Sequence, residues 1–327
     1  MKTLDQILPN LLVTIEPIEK QRLESIQSRN QGYLAIAVTL ALGGIGVLAS
    51  LSGGLPPYVP IVLGIVALLT SGILFATWIH SPYAAFRDRF KNDFIGRVLA
   101  SIADEVQYFP AGNDAILQDY KASELFPKAY DRVSIEDTIF CRLGETDLRL
   151  SEIHTEYKTT STDKDGNTQE HWHTLFRGLF LSADFHKEFH GRTLVRTDFA
   201  EKRLGVLGRF FQKPIFSSDQ LVILEDPDFE REFVVHSSDQ IEARYILSTS
   251  MMEKMLELKH RFASDVEYSF LHSRMFIAVS TTRNFFEPKQ SVSLTDREYL
   301  QDFLDQTNLC LGIVETLGLN VRIWSKR

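Results

Sequence analysis

From Gly32 to Ile79 the chain carries no charged residue, although 24% of all its residues are charged. A helix needs about 20 apolar residues to cross a hydrocarbon core roughly 30 Å thick. Gly32–Leu51 supplies one such span and Val59–Ile79 a second. SGGLPP (Ser52–Pro57) lies between them, and its Gly and Pro pairs predict a tight turn joining two antiparallel helices. A hairpin buried in a soluble protein would keep a polar face over that length, and neither span has one. A cleaved leader would begin nearer the first residue and would not be followed at once by another span.

Polar and apolar positions alternate differently on either side. Residues 1–31 read as an amphipathic N-terminal helical segment striped by Leu4, Ile7, Leu8, Leu11, Leu12 and Ile15, with Pro9 and Pro17 interrupting it. Residues 32–80 are the transmembrane hairpin, and residues 81–327 the water-soluble remainder. Ala84–Val106 opens that remainder as a helix, with Phe86, Phe90, Phe94, Val98 and Ile102 four apart on one face.

From Thr138 the period falls to two. Leu148, Leu150, Ile153, Thr155 and Tyr157 predict a strand, and Trp172, Thr174 and Phe176 a second, folded back about Asp165-Gly166. Further strands are expected at 192–196, 221–224, 233–236, 241–247, 266–270 and 275–280, with NVRIW (Asn320–Trp324) closing the chain. Two helices punctuate the strands. One opens on a capping box of Ser250 and Glu253, the other on Thr295 and Glu298, and the second stops at Gly318. Segregated strands and helices make this an α+β chain: a two-helix transmembrane hairpin, then a mostly antiparallel sheet with packed helices.

Charge sets the orientation. Lys20, Arg22 and Arg29 precede the first span, Arg87, Arg89, Lys91 and Arg97 follow the second, and the turn has neither Lys nor Arg. Both termini are therefore expected in the cytoplasm, at the inner membrane. Gly43, Gly44, Gly46, Gly64 and Gly72 would allow close helix approach. With no Asp, Glu, Lys, Arg or His inside either span, an ion path is not indicated.

Lys and Arg number 35 against 43 Asp and Glu, and since the first 80 residues hold equal numbers, the whole imbalance lies beyond them. That acidic remainder argues against nucleic-acid binding, which rests on a basic surface. Cys141 and Cys310 lie far apart in apolar surroundings and read as core residues kept reduced in the cytoplasm.

Three stretches offer chemistry. DKDGN (Asp163–Asn167) resembles the start of a calcium loop, but the positions needing Gly and Glu hold Thr168 and Thr174. If the hairpin pairs symmetrically, His154, Glu156, His171 and His173 share one face, where imidazoles and a carboxylate could hold zinc; a solvated sheet face is the plainer reading. HKEFH (His186–His190) has the i,i+4 spacing of a metal pair but lies between strands. KRLGVLGRFFQK (Lys202–Lys213) joins Lys202, Arg203, Arg209 and Lys213 to apolar Leu207, Phe210 and Phe211. On a tethered domain that combination would rest on anionic lipid.

FRGLFLSADFHKEFHGRTLVRTD (Phe176–Asp198), LEDPDFEREFVVHSSDQIEARYILS (Leu224–Ser248) and LGLNVRIW (Leu317–Trp324) resemble a bacterial family of uncharacterised proteins, number 3137 among the domains of unknown function. With the paired spans, the resemblance covers nearly the whole chain. It implies a membrane anchor followed by a cytoplasmic α+β domain, and no catalytic residue or cofactor comes with it. The expected partners are the bilayer and other membrane proteins or a second copy. The leading expectation is a non-enzymatic anchored protein that binds a partner or ligand. The alternatives are a tethered hydrolase without a recognisable motif and an accessory subunit of a transport complex.

Overall fold

The computed structural model describes residues 3–162, 167–185, 187–197, 216 and 218–319. By spatial contact the chain forms two compact units, one of Lys2–Val98 with Phe286–Leu304, the other of Leu99–Phe285 with Asp305–Arg327. The expected division at residue 80 separates lipid from water, a different criterion.

The first unit is helical. Helix α1 runs unbroken over Leu4–Ser52, with Pro9 and Pro17 inside it, so the predicted interruption does not occur. An interior proline removes one hydrogen bond. At Pro17 the carbonyl left without its donor belongs to Val13, which is 78% exposed and so can be hydrated. The opposite face (Leu4, Ile7, Leu11, Ile15 and Ile18) is fully packed and holds the helix straight through both sites. Helix α2, Tyr58–Ile102, contains two π-helical stretches, Phe75–His80 and Phe90–Ile95. It ends at Ile102 and does not reach the expected Val106, which lies in a strand.

Both helices are long and apolar enough to cross a membrane, and their most apolar windows are almost wholly unburied. Their contact is close at Gly43, where a Cβ would stand 2.5 Å from Ala67 Cβ. Of the other expected glycines, Gly46 would bring a Cβ to 3.6 Å from Leu63 Cδ1, an ordinary contact, and Gly44, Gly64 and Gly72 meet nothing.

Beyond the apolar windows, residues 286–304 pack on the helices. Phe303 sits edge-on to Phe90 with centroids 5.6 Å apart, and Lys91 is paired with Glu287 at 2.6 Å. The Glu19 carboxylate accepts from Arg22 Nε and Nη2 at 2.8 and 2.7 Å, from Ser293 Oγ at 2.8 Å and from Leu294 N at 2.9 Å. Arg22 Nη1 and Arg29 Nη1 reach the carbonyl and side-chain oxygens of Gln290.

The second unit is built on an antiparallel sheet of nine strands. They are β1 Asp104–Phe109, β2 Arg132–Leu143, β3 Thr146–Thr162, β4 Thr168–Asp184, β5 Thr193–Thr197, β6 Gln220–Val222, β7 Phe233–Ser237, β8 Val266–Leu271 and β9 Arg274–Ser280. Their order is β1-β2-β3-β4-β9-β8-β5-β7-β6. The chain is thus α+β, with the long apolar helices first. Helix α3 (Ile116–Ala122) covers one face, burying Ile116 and Tyr120 against Ile153, Phe176, Phe180 and Phe276. The other face carries Leu150, Leu179, Leu181, Tyr268 and Ile277, and Tyr268 Oη donates to Met255 O of α6 (Thr249–Phe262) at 3.1 Å.

Several local expectations are corrected. The stretch 241–247 is not a strand but helix α5, Gln240–Ile246, whose start is capped by Asp239 accepting from Ile241 N and Glu242 N. Alternation suggested Ile241 as a core residue; it is 83% exposed, while Ala243 and Ile246, three apart, are buried. A short helix α4, Pro227–Glu232, is likewise capped by Asp226. The N-cap of α6 is Ser248, two residues before the predicted Ser250. Helix α7, Arg297–Leu311, starts from Asp296, whose carboxylate accepts from Glu298 N and Tyr299 N, so Thr295 is not its cap. A short α8, Ile313–Leu317, then ends at the left-handed Gly318 as expected. The closing strand expected at 320–324 lies outside the described residues.

Candidate functional site

The β3–β4 hairpin folds about the predicted place, pairing Thr162 with Thr168, but its register separates the expected histidine set. Thr155 faces Phe176 and Glu156 faces Thr174, which leaves Leu175 as an extra residue and shifts the ladder by one. His154 and Glu156 fall on one face, 3.9 Å apart, with His154 Nε2 3.3 Å from Thr174 Oγ1. His171 and His173 fall on the other, bonded to Ser161 Oγ at 3.2 Å and Thr159 Oγ1 at 2.8 Å, with His173 stacked on Tyr157. Side chains alternate across a strand, so partners summing to an even register cannot join odd and even positions. The four do not form one metal site, and Glu156 is engaged by Arg132 at 2.5 Å.

His190 is exposed and not helical, and its backbone N–H donates to Glu242. The calcium-like stretch 163–166, His186 and the basic run of Lys202, Arg203, Leu207, Arg209, Phe210, Phe211 and Lys213 lie outside the described residues.

A different group of residues does converge. Across β2, β3 and β4 the register sets Ser134, His154 and Arg177 in one row, and Glu136 opposite Glu152 in the next. The segment after β9 is tied over these rows by two hydrogen bonds and braced by one within itself. Thr281 N donates to Arg177 O at 3.0 Å, Arg283 N to Thr281 Oγ1 at 3.1 Å, and Phe285 N to Glu152 Oε1 at 2.7 Å. Together they enclose a cavity of about 180 Å³ also lined by Gly178 and Asn284.

Two features give this cavity a chemical character. Among the described residues, the guanidinium groups of Arg177 and Arg283 have no ion-pair or hydrogen-bond partner. Guanidinium presents a fixed fork of donors that matches a carboxylate or phosphate edge. Ser134 and Asn284 add neutral donors, and Glu136 and Glu152 also line the cavity, Glu152 Oε1 being taken by Phe285 N. Ser134 Oγ makes no hydrogen bond to His154 among the described residues, so no hydroxyl nucleophile is paired with a base here. Burial pushes the Cys310 thiol well up, with the Glu152 charge acting in the same direction and Arg283 against it. A protonated buried thiol is not a nucleophile either.

Sequence reading missed this site because its members come from four separated stretches around residues 134, 153, 177 and 283. One local signal was present. Gly178 interrupts an otherwise apolar strand in FRGLF, and a glycine there marks a place where another backbone comes close.

A comparison with curated proteins gives no match. Among solved structures, the mycobacterial trehalose monomycolate transport factor A, TtfA, aligns over 64% of this chain and 88% of its own at 10% identity and a TM-score of 0.35, too slight a likeness to carry a role across. The family match is narrower than the near-complete resemblance expected from the sequence, since neither the apolar helices nor β1 to β3 fall within it. Residues 174–319, from the second half of the long hairpin to just past α8, match the family described as Protein of unknown function (DUF3137).

Proposed function

We propose that this is a membrane-anchored binding protein, in which α1 and α2 cross the inner membrane and the sheet unit holds a small polar ligand on the cytoplasmic side. The observation that carries the reading is the cavity under residues 281–285, where, among the described residues, the guanidinium groups of Arg177 and Arg283 have no ion-pair or hydrogen-bond partner. Arginines in an antiparallel sheet are normally matched to carboxylates on neighbouring strands, as Arg196 is to Glu267 at 3.3 Å. Two that are not, converging with Ser134, His154 and Asn284, suit an anionic group brought by a ligand. Binding is favoured over turnover because no hydroxyl or thiol there is set against a base.

The anchor follows from exposure. A core helix of a soluble protein has its apolar window buried, and here 6% of that window in α1 and none in α2 is. Lys and Arg flank the spans and avoid the turn, which supports a cytoplasmic location for both ends.

The test has two arms. The full chain should stay in carbonate-washed membranes, and a tag after Arg327 should resist protease added to intact cells. Native mass spectrometry of detergent-purified protein should then show a small bound molecule that is lost from an Arg177→Gln, Arg283→Gln double variant. Release by carbonate would sink the anchor. A bound-molecule profile identical in the variant and the wild type would sink the cavity.

A further inference from the structure

We propose that the sheet unit has a second site, separate from the arginine cavity, which binds a small amphiphilic anion between the end of α3, the loop that follows it and Phe216. The chain after α3 turns sharply at Glu124, which adopts a left-handed conformation (φ 54°). This reversal brings Phe126 back over Tyr120, their rings stacked at 5.0 Å and 11°. Tyr130 meets Tyr120 edge-on at 6.2 Å. With Phe216 these rings border a cavity of about 450 Å³. That is within the range of about 300–1,000 Å³ typical of small-molecule sites, whose walls are mostly apolar with a few placed polar groups.

The walls divide the ligand's chemistry. Tyr120 is buried and its hydroxyl is already bonded to Thr155 Oγ1 at 2.9 Å, so it offers only its ring. Phe126, Tyr130 and Phe216 are half-buried, their remaining surface open to an apolar body. At the rim stand Lys121 and Lys128, neither of which has an ion pair among the described residues; their ammonium groups lie over the rings of Tyr130 and Tyr157. The carboxylate in the lining, Glu124, is held by Arg192 at 2.8 Å and so does not cancel them. Arg192 in turn stacks on Phe216 at 3.7 Å, fixing that wall. An apolar floor beneath two unmatched ammonium groups fits a molecule with an aromatic or acyl body and one carboxylate or phosphate.

The test uses the full chain in phosphatidylcholine nanodiscs, with empty nanodiscs as reference. Naphthalene-2-carboxylate is the probe and 2-naphthylmethanol its uncharged counterpart, both followed by saturation-transfer NMR and calorimetry. The carboxylate should bind about tenfold more tightly than the alcohol, and Lys121→Gln with Lys128→Gln should remove that advantage. Phe126→Ser should weaken both compounds, while Arg177→Gln should leave both unchanged, which separates this site from the other cavity. Equal binding of the two compounds to wild type, an unaffected double lysine variant, or no binding above the empty discs would each overturn the proposal. Far-ultraviolet dichroism of the variants controls for folding. Adding phosphatidic acid to the discs assigns the source, because a bilayer lipid would compete with the probe and a soluble ligand would not.

Discussion

A Cβ on Gly178 would stand 1.9 Å from the carbonyl oxygen of Val279 and 2.9 Å from Thr281 N. With φ at +153°, the residue also occupies backbone space that side chains avoid. Both facts have one cause: at Gly178 the chain of β9 runs close against β4, and the carbonyl of the preceding residue, Arg177, takes the bond from Thr281 N that starts the segment over the arginine cavity. Gly178→Ala should destabilise the sheet unit by about 2–4 kcal/mol, read as a lower urea midpoint for the loss of near-ultraviolet dichroism. An unchanged midpoint would mean that β9 can move aside without loss.

Arg22 beside Glu19, helped by Leu294 N and Ser293 Oγ, holds the Glu19 carboxyl down at about 2 against an ordinary 4.5, burial opposing. A carboxylate lowered on folding stabilises the native state fully above its unfolded value, and that contribution is lost as pH falls through the folded value. The helical unit should therefore lose stability between about pH 4.5 and 2. Glu19→Gln should cost about 1–2 kcal/mol at pH 7 and flatten that part of the profile, measured by thermal unfolding in detergent across the range.

The two apolar helices approach closely at Gly43 against Ala67, as they do at Gly32 against Ile79. Gly43→Leu should force the helices apart and lower the unfolding temperature in mild detergent. The same change at Gly44, where a Cβ meets nothing, should be close to neutral. Equal effects at the two positions would refute this account of the contact.

Neither cysteine should react in the folded protein. Burial, with the charge of Asp147, pushes the Cys141 thiol up to about 12, and burial also pushes that of Cys310 well up. Iodoacetamide at pH 8 should modify neither residue in the native chain and both after denaturation, as peptide mass spectrometry would show. Fast labelling of Cys310 would imply that the helices over the sheet open readily.

What the sequence determined by itself was whatever depends on neighbours along the chain. An uncharged run longer than a bilayer is thick gives two apolar helices in any context, and the four-residue recurrence of Phe86, Phe90, Phe94 and Val98 finds the buried face of α2. Strand alternation likewise located the long hairpin and its turn. It failed at 241–247, where a local cap at Asp239 outweighed an alternating pattern, and at Pro17, where tertiary packing outweighed a helix breaker. Only the tertiary structure decided which side chains meet. One extra residue, Leu175, sends His171 and His173 to the face opposite His154 and Glu156, and it takes four separated segments to build the cavity that Arg177 and Arg283 share. Register and sheet order are fixed by contacts between residues far apart in the chain, and periodicity, a property of near neighbours, carries no information about them.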